Sequence, residues 1–510
     1  MKASQRIVFN TGVTYFRFVI TIFIAFYTTR ITLEVLGVKD FGLYNVIGGI
    51  VTMVTFLNTA LAQATQRFLS YHIGSGNVSE VKTIFANSII IHGALAILLL
   101  LGLEIFGVYY VNHVLNIEPA QLYSANLLLQ FSIMATLMTI ISVPYDALLF
   151  AHENMLFIAI VNLFDSIVKL LIALSLLYFE NIPFEKLNAY GFLIMIAALM
   201  NRVILQVYVR KKYRETRINN VFKEFDRLKI KEQMSFAGWN LLNVLGYIAR
   251  NSGLALVLNA YMGTRINASY AIGNQISNQA RFFSNTLFQA VNPQIIKNEG
   301  GNDRSSMVRL ALLGSRYGTL LISLCAVPII FHINSVLTFW LKEIPEYTGF
   351  IATMMLISVV LNQLTSGLET MIYAIGRIKK YSIILSSIKV SAIPMSLLIF
   401  HLELKNPILL IFSSLIGIEI ATFITRILYV KKNALVDIRN YFTLVVNRII
   451  IPIVIYCFVN YAIDCFFEDF KIKIIGIIMS ILIYFILIYW LTLESGAKKS
   501  LQNMLSTFYK

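Results

Sequence analysis

The chain has 510 residues, 58% apolar and 13% charged, with a mean hydropathy of +0.73, which lies outside the range of soluble domains. Its formal charge of +16 sits beside apolar segments rather than on a soluble basic face, so no nucleic-acid partner is expected. Cys325, Cys457 and Cys465 lack metal-ligand spacing and the six histidines are scattered, so no metal or other cofactor is expected and the cysteines read as small core residues.

A helix needs about 20 mostly apolar residues to cross the hydrocarbon core. Fourteen segments qualify in chain order: 9–33, 43–70, 84–111, 120–148, 155–179, 187–209, 235–260, 266–293, 307–331, 346–374, 381–402, 407–430, 443–463 and 472–493. The connections are short, and the N-terminal residues carry no apolar core followed by a small-residue cleavage site, so the first segment is expected to be retained. Basic residues cluster in the even-numbered connections, above all RKKYRETR from Arg210 to Arg217, then Lys297 with Arg304, Arg377 with Lys379 and Lys380, and Lys431 with Lys432 and Arg439. By the positive-inside bias both termini are cytoplasmic in a multi-pass protein. VFKEFDRLKIKEQM, from Val221 to Met234, reads as an interfacial helix on anionic lipid.

Sliding the chain by 226 residues lays Gly12 on Gly238, Gly37 on Gly263, Tyr44 on Tyr270, Gln63 on Gln289 and Gly74 on Gly300, and FLNTALAQATQ on FFSNTLFQAVN. A duplication follows. Six crossings return the chain to the same side, so the copies are parallel. The expected fold is therefore all-α and polytopic, with about 14 transmembrane helices in two parallel six-helix lobes plus two C-terminal helices. Residues 1–213 form the N-terminal lobe, 214–234 a cytoplasmic interfacial linker, 235–432 the C-terminal lobe, and 433–510 helices 13 and 14 with a tail.

In the eighth segment, YAIGNQISNQARFFSNTLFQ from Tyr270 to Gln289 contains three asparagines, three glutamines and an arginine. Asn274, Asn278, Arg281, Asn285 and Gln289 recur at three or four residues and share one helical face. Such a face avoids lipid, because each unpaired amide in hydrocarbon costs several kcal/mol; it meets a packed helix or a water-filled cavity. Segment 7 aligns Asn240, Asn243, Tyr247 and Arg250, segment 1 aligns Thr14, Arg17, Thr21 and Thr28, and segment 2 includes Asn45, Thr59, Gln63 and Gln66. Transporters built of parallel repeats bind substrate between the halves near mid-bilayer, which gives these stripes one shared cavity.

Arg17, Arg250 and Arg281 fall mid-segment, with Arg30 nearer the end and Glu34 one turn on, and segments 1, 2, 7 and 8 contain no carboxylate. An intramembrane charge costs at least about 2.5 kcal/mol and is a functional candidate. Arginine forks suit phosphate, and amides and tyrosines suit sugar hydroxyls, so the expected substrate is anionic and hydroxyl-rich. Asp165 and Lys169 read as a structural pair or an ion-coupling site, Glu419 and Arg426 as a second pair, and Arg202 as a snorkelling residue.

LGVKDFGLYNVIGG from Leu36 to Gly49, followed by FLNTALAQATQRFLSYHIGSGN from Phe56 to Asn77, resembles the opening of Wzx-type polysaccharide flippases. These form the polysaccharide branch of the superfamily that also holds multidrug and toxic-compound extrusion transporters and lipid II flippases. The resemblance implies export of undecaprenyl-pyrophosphate-linked oligosaccharide across the bacterial inner membrane, for O-antigen of lipopolysaccharide or for capsule. It further implies alternating access, a cationic central cavity carrying Arg17, Arg250 and Arg281, coupling to H+, Na+ or the membrane potential, membrane lipids and polysaccharide polymerase machinery as partners, and a monomeric exporter. Helices 13 and 14, with Asn460 and Asp464, border a lipid-tail groove on this resemblance, or simply pack. The rival readings are a lipid II-type flippase or cation-coupled multidrug exporter on the same scaffold, or a membrane-bound polymerase. The last would need catalytic groups and a substantial outer loop. No phosphate-cradling glycine loop or nucleophile motif is present, so the chain is not expected to be an enzyme.

Overall fold

The computed structural model describes residues 3–53, 56–115, 117–178, 185–341, 343–434, 436–467, 469–494 and 498; their regular structure is helical, with no strand among them. The membrane-length helices in chain order are α1 (Phe9–Gly37), α2 (Lys39–Val51 with Phe56–Gly74), α3 (Val78–His113), α4 (Pro119–Ala151), α5 (Met155–Tyr178) and α6 (Lys186–Lys212). Arg227–Gly300 supplies α7 (227–262) and α8 (264–300). There follow α9 (Arg304–Phe331), α10 (Thr348–Gln363 with Ser366–Ile375), α11 (Lys379–His401), α12 (Pro407–Asn433), α13 (Ile438–Phe466) and α14 (Lys471–Thr492).

Eleven helices meet the length and apolarity of a span, or thirteen with each bent pair taken as one. The 74-residue stretch Arg227–Gly300 is broken at Gly263. Unbroken it would run about 110 Å, against a hydrocarbon core of about 30 Å, so it is two spans and the count among the described residues is fourteen.

The 226-residue offset reappears in the backbone. Gly37 (φ 73°, ψ 168°) and Gly263 (φ 79°, ψ −179°) adopt the same non-helical conformation at matched helix ends, one that lacks a Cβ for good reason. At the next matched junction, Asn77 caps α3 by accepting from the Glu80 amide at 3.2 Å. Its counterpart Asp303 caps α9 by accepting from the Ser306 amide at 3.1 Å. Both satisfy donors that a helix start leaves orphaned.

The chain divides into two compact units. One holds Arg6–Leu241 with Gly300–Asn302. In it α4 packs on α2, α3 and α6 through the buried Leu128, Leu129, Ile133 and Leu148. The other holds Leu242–Glu299 and Asp303–Lys510. Its core joins Leu254 and Leu258 of α7, Tyr270 of α8, Ile351 of α10, Ala392 of α11 and Phe412 of α12. Without a hydrophobic drive between helices in lipid, close packing needs small residues. Gly246 and Gly253 of α7 supply them: a Cβ at Gly246 would lie 3.1 Å from Ser386 Cα, and one at Gly253 would lie 2.5 Å from Ile393 Cδ1.

Helices α13 and α14 pack onto α9. Tyr456 and Tyr484 stack with ring centroids 4.2 Å apart and donate to the Leu324 and Leu320 carbonyls at 3.1 and 3.2 Å. Asn460 donates to Ser480 Oγ at 3.3 Å, and Asp464 accepts from Lys473 Nζ at 2.6 Å.

The segment read as an interfacial helix is instead a short turn, Val221–Glu224, followed by a helix that starts at Arg227 and runs on into α7. The reason is Asp226, whose carboxylate accepts from the Leu228 and Lys229 amides at 2.8 and 3.2 Å and so sets the helix start. Lys82 with Glu224 (2.6 Å) and Lys229 with Glu80 (3.3 Å) pin the turn to α3, leaving Phe222 and Leu228 exposed.

Candidate functional site

In the unit that begins at Leu242, a polar core forms where α10 breaks. The two halves of α10 meet at a 46° bend across Leu364 and Thr365, which frees backbone carbonyls inside an apolar bundle. Side chains re-satisfy them, as a broken membrane helix requires. Arg426, 1% exposed, donates Nη1 to the Asn362 carbonyl at 3.2 Å and to Thr365 Oγ1 at 3.1 Å. Tyr441 donates to the Leu364 carbonyl at 3.0 Å. The second half of α10 lies against the α9 backbone: a Cβ at Gly367 would stand 1.9 Å from the Ala311 carbonyl oxygen, and the Gly367 amide donates to Ser315 Oγ at 3.0 Å.

Two carboxylates balance this core. Arg426 Nη2 meets Glu369 at 2.5 Å and its Nε donates to the Tyr381 hydroxyl at 3.1 Å. Glu419 accepts from Arg250 Nη1 at 2.6 Å and from Asn362 Nδ2 at 2.7 Å. The expected pairing of Glu419 with Arg426 is thus corrected. Both lie on α12, but Glu419 reaches α7 while Arg426 turns to α10, because tertiary partners with better geometry outcompete a same-helix pair two turns apart. Arg250, with no acidic residue in its own segment, is neutralised from another helix.

The α7 stripe therefore points into its own bundle or a neighbouring helix. Asn243 is buried and donates to the Tyr373 hydroxyl at 3.1 Å and to Ser382 Oγ at 3.0 Å. Asn240, in the other unit, is buried and donates to Gln63 Oε1 at 2.8 Å, while Gln66 is half-buried.

The α8 stripe divides. Beside it, Ser284 donates to Gln363 at 2.7 Å; within it, Asn274 approaches the Tyr270 hydroxyl. Asn278 and Asn285 are exposed. Arg281 is half-buried, lies 5.5 Å from the Tyr247 ring centroid and keeps a buried Nε with no hydrogen-bond partner. Glu419 is the acid whose field it shares, but no carboxylate among the described residues comes within ion-pair distance of it.

In the other unit, Arg17 is half-buried without an ion pair among the described residues, and Arg30 is exposed. No ion pair within 4 Å joins Arg30 to Glu34, since both project outward on an exposed face. Asp165 and Lys169 pair at 2.8 Å and border a cavity of about 350 Å³ that is also lined by Thr136, Asp146, Asn162 and Asn201. The Arg202 guanidinium lies 4.3 Å from the Tyr145 ring centroid and faces the Asp146 charge, a cation–π seat.

Sequence reasoning missed Glu369, Lys389 and Asp146, each a charged residue in the interior of an apolar segment. That alone was the available signal. The polar stripes of segments 1, 2, 7 and 8 are the stronger pattern in the sequence, and these isolated charges lie in segments 4, 10 and 11.

The comparisons agree with this architecture. A solved multidrug resistance MATE family transporter of the MOP superfamily, in an outward-facing conformation, superposes with a TM-score of 0.66 at 13% identity, covering 84% of this chain and 94% of the other. The Vibrio cholerae MATE transporter VcmN in its bent form gives 0.65 at 16% identity, with 87% and 99% covered. The chain has the fold of MATE transporters of the MOP superfamily. A MOP superfamily transporter from Pyrococcus furiosus, in which reversed polarity of the binding pocket suggests a different function, gives 0.67 at 13% identity, with 84% and 94% covered. No family model matches. The uncharacterized membrane protein EpsK of Bacillus subtilis (strain 168) is 22% identical over 327 residues, 64% of this chain, and the chain spans 63% of that protein's length.

Proposed function

We propose that this membrane transporter fold serves as a flippase for undecaprenyl-pyrophosphate-linked oligosaccharide repeat units in a bacterial inner membrane, working by alternating access. The observation that carries the reading is the excess of unneutralised cations inside membrane-length helices. Arg17 of α1 and Arg281 of α8 have no ion pair among the described residues. Such charges are costly in hydrocarbon and are stabilised when an anion joins them. The exposed amides Asn278 and Asn285 on the Arg281 helix suit the hydroxyls of a sugar. A pyrophosphate-sugar head group needs this shelter, whereas its polyprenyl tail can stay in lipid.

The test is transfer of lipid-linked oligosaccharide into inverted membrane vesicles carrying the chain. Transfer that depends on the chain supports the reading, and its absence from well-populated vesicles removes it. A second reading, a cation-coupled exporter of cationic drugs, is favoured by Asp146 and Asp165 at the cavity of the first unit; drug efflux without oligosaccharide transfer would select it.

A further inference from the structure

Among the described residues, four cations and two carboxylates meet in the polar core of the unit that begins at Leu242. Arg426 is committed to Glu369 and Arg250 to Glu419. Two cations are left over: Arg281 of α8 and Lys389 of α11. Both turn to the same side chain, with the Arg281 guanidinium carbon 5.5 Å and the Lys389 Nζ 6.0 Å from the Tyr247 ring centroid. Both are half-buried, and neither makes an ion pair within 4 Å among the described residues. The Arg281 Nε is buried and unpartnered, a donor whose desolvation nothing yet offsets.

Two like charges around one ring repel. Tyr247 supplies an attractive face to each, and the committed carboxylates soften the field, since Lys389 shares those of both Glu369 and Glu419. What remains is a surplus of two positive charges. A dianion with its charges on two linked centres matches that surplus, and a pyrophosphate diester is one.

We infer that Arg281 and Lys389, set on either helix beside Tyr247, form the clamp that holds the pyrophosphate of the substrate. Arg250 stands outside the clamp: its charge is spent on Glu419, which also accepts from Asn362 at the α10 break. This rests on the flippase reading for the substrate's identity, but the binding chemistry stands on the geometry. It reassigns the anion contact from Arg250 to Lys389, a residue outside the polar stripes.

The experiment uses the purified full-length chain in detergent, with inorganic pyrophosphate as the probe and binding read by titration calorimetry and by the shift in Tm. Saturable binding to the wild type should weaken at least tenfold in Arg281→Ala and in Lys389→Ala. Arg281→Lys and Lys389→Arg should each recover part of it, since charge is kept while the donor geometry changes. Arg250→Ala with Glu419→Ala, which removes a neutral pair, should change binding less than threefold. Unchanged binding in a folded Arg281→Ala, Lys389→Ala double variant overturns the clamp, as does loss of binding in the Arg250, Glu419 double variant with a wild-type Tm. Pyrophosphate binding that follows this pattern without oligosaccharide transfer in vesicles would keep the clamp and remove the flippase; transfer that survives loss of both cations would do the reverse.

Discussion

Arg250 of α7 and Glu419 of α12 meet at 2.6 Å, one 6% and the other 2% exposed. Breaking a buried pair by removing one partner costs about 3–5 kcal/mol because the other charge is left uncompensated, whereas removing both is far milder. Arg250→Ala and Glu419→Ala should each lower the Tm in detergent strongly, and the double variant should be closer to wild type than either single change. Additive losses would show that the two do not act as a pair.

Arg426 should matter more to folding than to substrate. Arg426→Lys keeps a charge but cannot reach the Asn362 carbonyl, Thr365, Tyr381 and Glu369 together, so it should lower the Tm and the membrane level. Tyr441→Phe removes only the donor to the Leu364 carbonyl and should cost about 1 kcal/mol. Thermal unfolding of the two variants side by side checks the order.

A methyl group separates two glycines. Gly367→Ala puts a Cβ against the Ala311 carbonyl oxygen and should force α10 away from α9, whereas Gly417 has nothing within 4 Å of its Cβ position and Gly417→Ala should be tolerated. Equal Tm values for the two would contradict the close α9–α10 contact.

Orientation is tested by impermeant thiol labelling on intact cells. Single cysteines in the Glu34 to Gly42 and Glu343 to Glu346 connections should react from outside, and those between Arg210 and Lys231 should not. The opposite pattern would invert the topology.

The fold was legible because its two signals are local. Runs of about 20 apolar residues mark the spans, and the offset that aligns Gly37 with Gly263 also aligns two helix-ending conformations. The α10 break was less legible, since Gln363, Leu364 and Thr365 are compatible with a continuing helix and the bend depends on Arg426 and Tyr441 arriving from later helices. Which charges are spent was not legible at all. Arg250 and Arg281 look alike in sequence, each on a polar stripe without an acid in its apolar segment. Only the fold brings Glu419 to the first and not to the second. Lys389 shows the converse: no stripe surrounds it, and its place beside Tyr247 comes from the seam of α7 glycines that draws α11 close.

In the proposed flippase, Arg281 of α8, which makes no ion pair among the described residues, carries the head group through the membrane. The most direct test is transfer of lipid-linked oligosaccharide into inverted vesicles by wild type, Arg281→Ala, Arg281→Lys and Asn278→Ala, each normalised to its membrane level. Arg281→Ala should abolish or sharply reduce transfer, Arg281→Lys should restore part of it, and Asn278→Ala should do least, because one hydrogen bond of about 0.5–1.5 kcal/mol net is replaceable by water. Wild-type transfer by a well-expressed Arg281→Ala variant would contradict the account.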